Sequence, residues 1–249
     1  MEWATRVDLA ACYRLVALYG MTDLINNHIS AKVPGTRDEF LINPFGLHYE
    51  EVTASSLYKI NLKGQVLHRP DVPYDFNKAG FVIHSAIHEA REDAGAVIHT
   101  HTRAGIAVAT MKDGLLPVTQ GALRFHNRLA YHDFEGPAVD ESEKQRLVAN
   151  LGVHDAMVLR NHGLVTCGRT IAEAFLLMQR LETACKIQVD LLASGAELVW
   201  ATVAGQAKTA RVLAPPKERR DESLGSWDGL REWSALLRQI ERVNPGFHN

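Results

Sequence analysis

Apolar residues recur at helical spacing over residues 5–19, where Val7, Ala11, Leu15 and Leu18 fall on one face. Thr5 stands where a cap belongs, with Asp8 three residues on, and Gly20 stands where such a helix stops. Runs of strand character follow at 29–33, 39–42 and 57–60, punctuated by Pro34-Gly35, Pro44-Phe45-Gly46 and Lys63-Gly64. The pattern then predicts a helix over 78–91, a strand over 96–101, a helix over 103–111 and a short strand over 116–119. A helix over 140–151 comes next, then two strands, 155–160 and 164–167, turned by Asn161-His162-Gly163. The clearest helix covers 171–193: Thr170 and Glu173 form a capping box, and Phe175, Met178, Leu181, Cys185 and Leu192 share a face. Helices alternate with strands through the middle of the chain, so the predicted class is α/β with a mixed sheet.

From about Ala204 the pattern loosens. Residues 215–222 carry two prolines and a run of charges and read as a linker or extended arm, and Trp233–Ile240 reads as a short amphipathic helix. Trp227 and Trp233 need burial, on their own domain or on a neighbouring subunit. The expected division is therefore a main domain over 1–205 and a C-terminal arm over 206–249.

Composition narrows the classes. The chain has 249 residues, 46% of them apolar and 22% charged, which suits an ordinary globular protein. Lys and Arg number 27 against 29 Asp and Glu, a balance that argues against a general nucleic-acid binder. Glu197 interrupts the longest apolar stretch, no apolar run follows the N-terminal Met, and Cys12, Cys167 and Cys185 show no CxxC spacing. The expectation is a reduced, cytoplasmic protein with no membrane partner.

The 12 histidines change the picture. In His99-Thr100-His101, residues i and i+2 of a strand face the same way and can share one divalent ion; a polar strand face near solvent is the plainer alternative. His162 lies at a strand end, where α/β proteins place site residues. Three such histidines suit Zn, Mn or Fe(II) and leave positions open for water or substrate. His84 and His88 lie one helical turn apart; His84 reads equally as a buried structural or a site residue, and His88 reads as a surface or packing residue. Glu135 is a candidate carboxylate against the alternative of a surface ion pair. Arg124 and His126 lie in a polar loop that can reach a site across an interface, and Arg160 reads as a structural contact.

Taken in order, Asn27-His28-Ile29-Ser30-Ala31-Lys32, Ile42-Asn43-Pro44-Phe45-Gly46, Gly80 to His88, Ala96 to His101, Ala130 to Gly136 and Leu159 to Leu164 resemble the class II aldolase/adducin family over most of the chain. The match looks closer to the adducin head and its bacterial relatives than to the sugar-phosphate aldolases. The resemblance implies a three-layer α/β/α sandwich around a mixed, largely antiparallel sheet, and a homotetramer with sites at subunit interfaces. It also implies a divalent metal, zinc first, with Mn or Fe(II) as alternatives, on His99, His101 and His162. Where family aldolases carry a Ser-Ser-Glu signature, with the glutamate as acid/base, this chain has Lys78-Ala79-Gly80. Where they cradle phosphate with Asn and Ser/Thr, it has His28 and Phe45.

A phosphate dianion wants several donors, and the Phe45 side chain offers none. The expected function is a metal-dependent lyase, by aldol cleavage or decarboxylation, acting on a non-phosphorylated carbonyl or carboxylate substrate through a metal-stabilised enolate. His28, His84 and Tyr131 are the candidate proton carriers, and Asn43, Gly46 and Lys78 the candidate substrate contacts. Two alternatives stand beside it: a non-catalytic, adducin-like oligomerisation or binding protein, and a non-haem Fe(II) oxygenase.

Overall fold

Strand β5 (Ala96–Thr100) is buried at every position. A strand apolar on both faces needs a cover on each side, and the computed structural model, which describes residues 1–136, 141–213 and 229–249, supplies two. On one face Ile29, Ala31, Ala96, Ile98, Val158 and Leu164 pack beneath α1 (Glu2–Leu18), α3 (Arg103–Thr110) and α6 (Ile171–Ser194). On the other, Val97, Met157, Val165 and Cys167 pack beneath α2 (Lys78–Ala90) and α5 (Glu141–Leu151). The result is the three-layer α/β/α sandwich.

The sheet has eight strands among the described residues: β1 (His28–Lys32), β2 (Glu39–Ile42), β3 (Tyr58–Asn61), β4 (Val66–His68), β5, β6 (Leu129–His132), β7 (Ala156–Leu159) and β8 (Gly163–Gly168). Their order is β4-β3-β2-β1-β5-β8-β7-β6. Every neighbouring pair is antiparallel except β6 with β7, so the sheet is mixed and largely antiparallel. The register sets His28 opposite His99 and Ser30 opposite Val97. His28, Ser30 and His99 therefore share the face covered by α2.

Several sequence expectations need correction. The first helix starts at Glu2, with Met1 at the N-cap position, so Thr5 lies inside it and its hydroxyl donates to Met1 O at 3.4 Å. Residues 116–119 form no strand: Pro117 has no N–H to give, Leu116 N–H donates to Gln188 Oε1 at 2.7 Å, and a short helix α4 (Gln120–Leu123) follows. At Thr170 the hydroxyl accepts from Glu173 N–H, but the Glu173 carboxylate turns to Arg169 N–H, so only half of the capping box forms. Residues 203–213 make a helix, α7 (Val203–Leu213), where the sequence pattern loosens. Helix α8 (Leu230–Val243) buries Trp233, Leu236 and Ile240 against α1 and α6, and Trp233 Nε1–H donates to Asp8 Oδ1 at 3.2 Å. Residues 215–222 and Trp227 lie outside the described residues. No described helix is long and apolar enough to cross a membrane.

Candidate metal centre

His99 points from β5 toward α2, and His101 follows just past the strand's end. His162 reaches them because the β7–β8 turn is tight. Asn161 takes a left-handed conformation (φ +58°), and Gly163 comes so near β5 that a Cβ there would sit 2.3 Å from Thr100 O. Only glycine permits that approach. The three Nε2 atoms converge: 2.7 Å between His99 and His101, 2.9 Å between His101 and His162, and 3.2 Å between His99 and His162.

The outer nitrogens fix which atoms carry protons. His99 Nδ1–H donates to Leu164 O at 3.0 Å, since a carbonyl only accepts. His101 Nδ1–H donates to Asp23 Oδ2 at 3.2 Å, and Asp23 is itself held by its N–H on Asn27 Oδ1 at 2.6 Å. Rings whose Nδ1 protons are so committed turn their Nε2 atoms toward one another, an arrangement that repels unless a cation sits between them. Nitrogens 2.0–2.1 Å from a tetrahedral zinc lie about 3.4 Å apart, so a small opening of the cluster accommodates the ion. Burial holds the His99 imidazole well below its ordinary pKa and lowers His162 to about 4, which keeps both in the neutral, ligating form near pH 7. The donor set fits a divalent metal.

Beside this centre runs a second histidine group. His28 Nδ1 lies 2.7 Å from His84 Nε2; His84 Nδ1 meets Ser30 Oγ in a short hydrogen bond; Ser30 Oγ lies 2.8 Å from His88 Nε2; and His88 Nδ1 lies 3.0 Å from Ala94 O. All four side chains are buried. His88 is thus an interior residue, contrary to the surface alternative, with Phe40 against its ring. The His28 and His99 rings are 4.9 Å apart at their centroids. Gly80 explains how His28 fits: a Cβ at position 80 would lie 2.5 Å from His28 Cδ2 and 2.8 Å from its Nε2. The imidazole fills the volume into which a side chain at position 80 would project.

The other candidate residues scatter. Tyr131 lies on β6, three strands from β5 and so about 14 Å across the sheet. Its hydroxyl accepts Leu115 N–H at 3.0 Å and Arg160 stacks over its ring, so it does not join the histidines. Asn43 is fully buried, its side chain held by Tyr13 OH and Pro44 O. Gly46 lies against the Tyr74 ring, and Lys78 is exposed at the start of α2, two residues before Gly80. Glu135 pairs with Arg146 at 2.5 Å, and Arg124 bonds Leu213 O at the end of α7. Arg160 donates to Met111 O at 2.7 Å, a structural role. Sequence reading missed Ser30 and Asp23. Alternate polar positions along β1 put Ser30 on the face of His28, but only the packing of β1 against α2 gives its hydroxyl a role.

Comparison with known proteins bears on the family and the fold. A crystal structure of an aldolase II superfamily protein from Pseudomonas syringae is 46% identical, with a TM-score of 0.90 over 100% of this chain and 96% of that one. Alpha-adducin of Rattus norvegicus is 44% identical over 247 residues, 97% of this chain but 34% of that protein. The structure of L-fuculose 1-phosphate aldolase from Glaciozyma antarctica is 28% identical, with a TM-score of 0.82 over 97% of this chain and 90% of that one. The family model for the class II aldolase and adducin N-terminal domain matches residues 7–189. With that match over most of its length, the chain belongs to the class II aldolase and adducin family.

Proposed function

We propose that this protein is a divalent-metal-dependent carbon–carbon lyase, of aldolase or decarboxylase type, acting on a small non-phosphorylated carbonyl or carboxylate compound as a homo-oligomer. The convergence of three Nε2 atoms at 2.7–3.2 Å carries this reading. His99, His101 and His162 would hold a divalent cation, zinc before Mn or Fe(II), which would supply Lewis acidity toward a substrate carbonyl.

The chain's own groups do the rest. His28, beside the centre, takes up a proton at Nε2 and returns it. Lys78, exposed at the head of α2, offers a cation to a substrate carboxylate. Phosphate is disfavoured, because Phe45 presents a 40% exposed aromatic ring where a phosphate cradle needs a hydroxyl.

The test begins with elemental analysis. One divalent ion per chain is expected, retained through dialysis and lost in His99→Ala. Zinc-loaded protein is then screened against short hydroxy-oxo and oxo acids for carbonyl product or CO2. Metal binding with cleavage of at least one such acid, abolished in His99→Ala, is the expected result. A second reading rests on the 44% identity to alpha-adducin and on the lost acidic side chain at Gly80: an oligomerisation module without catalysis. Protein that binds no metal, and whose His99→Ala variant keeps its stability and assembly, favours that reading. Turnover that requires O2 overturns the lyase in favour of an Fe(II) oxygenase.

A further inference from the structure

The buried chain His28–His84–Ser30–His88 has a direction, and one carbonyl sets it. Ala94 O accepts only, so the His88 nitrogen 3.0 Å away, Nδ1, carries its proton. A neutral His88 then has a lone pair at Nε2, and the Ser30 hydroxyl, 2.8 Å away, donates its single proton there. Ser30 Oγ has no second proton, so it accepts from His84 Nδ1–H. Neutral His84 is left with a lone pair at Nε2, which accepts His28 Nδ1–H at 2.7 Å. His28, the last member, keeps its lone pair at Nε2, the atom on the Gly80 side of the ring, for which no described residue supplies a hydrogen-bond partner.

We infer that His84, Ser30 and His88 are positioning residues that lock His28 in the tautomer with a bare Nε2, making it a proton acceptor beside the metal centre in place of a carboxylate at position 80. Burial, which lowers His88 to about 3, supports the neutral state of the ring that sets the direction of the chain. The inference rests on the lyase reading for its chemistry, and within that reading it selects a reaction that begins by removing a proton. In aldol cleavage, Nε2 takes the proton of the β-hydroxyl. The O–H electrons form the new carbonyl, the C–C pair passes to the enolate, and the proton returns from Nε2 to the enolate carbon. Decarboxylation instead needs a proton donor after CO2 leaves, which a bare Nε2 is not. The substrate class that fits is therefore a β-hydroxy carbonyl compound.

The test reads the tautomer directly, in zinc-loaded protein with 15N-labelled histidine, by NMR at neutral pH. His28 is assigned by the signals missing from His28→Asn. The expected spectrum gives His28 a proton on Nδ1 and none on Nε2, whose 15N resonance lies far downfield of a protonated ring nitrogen. A proton on Nε2 of the wild-type protein overturns the inference without any variant.

His88→Phe removes the acceptor for Ser30. The hydroxyl then donates to His84 Nδ1, and the whole chain reverses. The expected result is a proton on His28 Nε2, unchanged zinc content and turnover of the β-hydroxy carbonyl substrate lowered on the order of 100-fold. A His28 tautomer unchanged in this variant overturns the inference. Ser30→Ala is the second variant, should Phe not be accommodated. It breaks the chain and gives a mixture of both His28 tautomers where the inference holds, and the wild-type spectrum where it fails. A bare Nε2 in a protein that cleaves no β-hydroxy carbonyl compound sinks the lyase and leaves the lock intact; an active enzyme with Nε2–H does the reverse.

Discussion

Position 80 and position 28 compete for one volume, because a Cβ on residue 80 would stand 2.5 Å from the His28 ring. The ring cannot swing clear while Nδ1 is held by His84. Gly80→Ala is therefore expected to lose stability by about 1–3 kcal/mol, the usual cost of overpacking a filled interior. In a His28→Ala background the same substitution is expected to cost much less, since the methyl then enters a cavity. A double-mutant cycle by urea unfolding measures the difference. Costs that simply add would show that the two residues do not share space. The same crowding gives a physical account of the acidic residue's absence: a glutamate at position 80 and an imidazole at position 28 could not coexist.

At the scale of elements, the centre depends on how closely β8 approaches β5. Gly163 faces the backbone carbonyl of Thr100 rather than a movable side chain, so Gly163→Ala must spread the two strands at the end that carries His99, His101 and His162. The expected outcome is a drop in metal affinity on the order of 10–100-fold, read by competition with a chromophoric chelator, together with a lower Tm. Affinity equal to the wild type would mean that the turn does not set the ligand geometry.

Much of this architecture was legible in the chain. The helices over 78–90, 103–110, 141–151 and 171–194 and the strands around His99 and His162 announce themselves by local periodicity, and the histidine spacing marks the centre. Strand β6 does not, because its cue is non-local: four residues, half of them only partly buried, paired in parallel with β7. Helix α7 escapes because Ala210 is the one buried residue along it, which leaves almost no apolar face to detect. Ser30 and Asp23 were hidden for a related reason, since a hydroxyl or carboxylate that acts through a histidine gains its meaning only when β1 is laid against α2 or the 23–27 loop against His101.

For the whole molecule, the interior histidines tie stability to pH, and His88 allows the effect to be isolated. It is 2% exposed and faces Ser30 and Lys32 of β1, Phe40 of β2, His84 of its own helix and the Ala94 carbonyl. Burial above all, then the nearby Lys32 charge, brings it to about 3 from an ordinary 6.5. Above pH 6.5 neither the folded nor the unfolded chain protonates this ring, and it contributes no pH dependence. Between 6.5 and about 3 the unfolded chain binds a proton that the folded chain refuses, so stability falls as pH falls. The slope for one such residue is about 1.4 kcal/mol per pH unit. In His88→Phe that proton disappears from the balance. The free energy of unfolding of the variant is therefore expected to decline less steeply on acidification, by about that slope per pH unit between roughly pH 6 and 4. Urea unfolding of the metal-loaded protein at a series of pH values measures it, since histidine ligands lost to protons contribute alike to both proteins. Parallel curves for wild type and variant would mean that His88 takes up its proton in the folded state, and that the interior beside the centre is wetter than its packing implies.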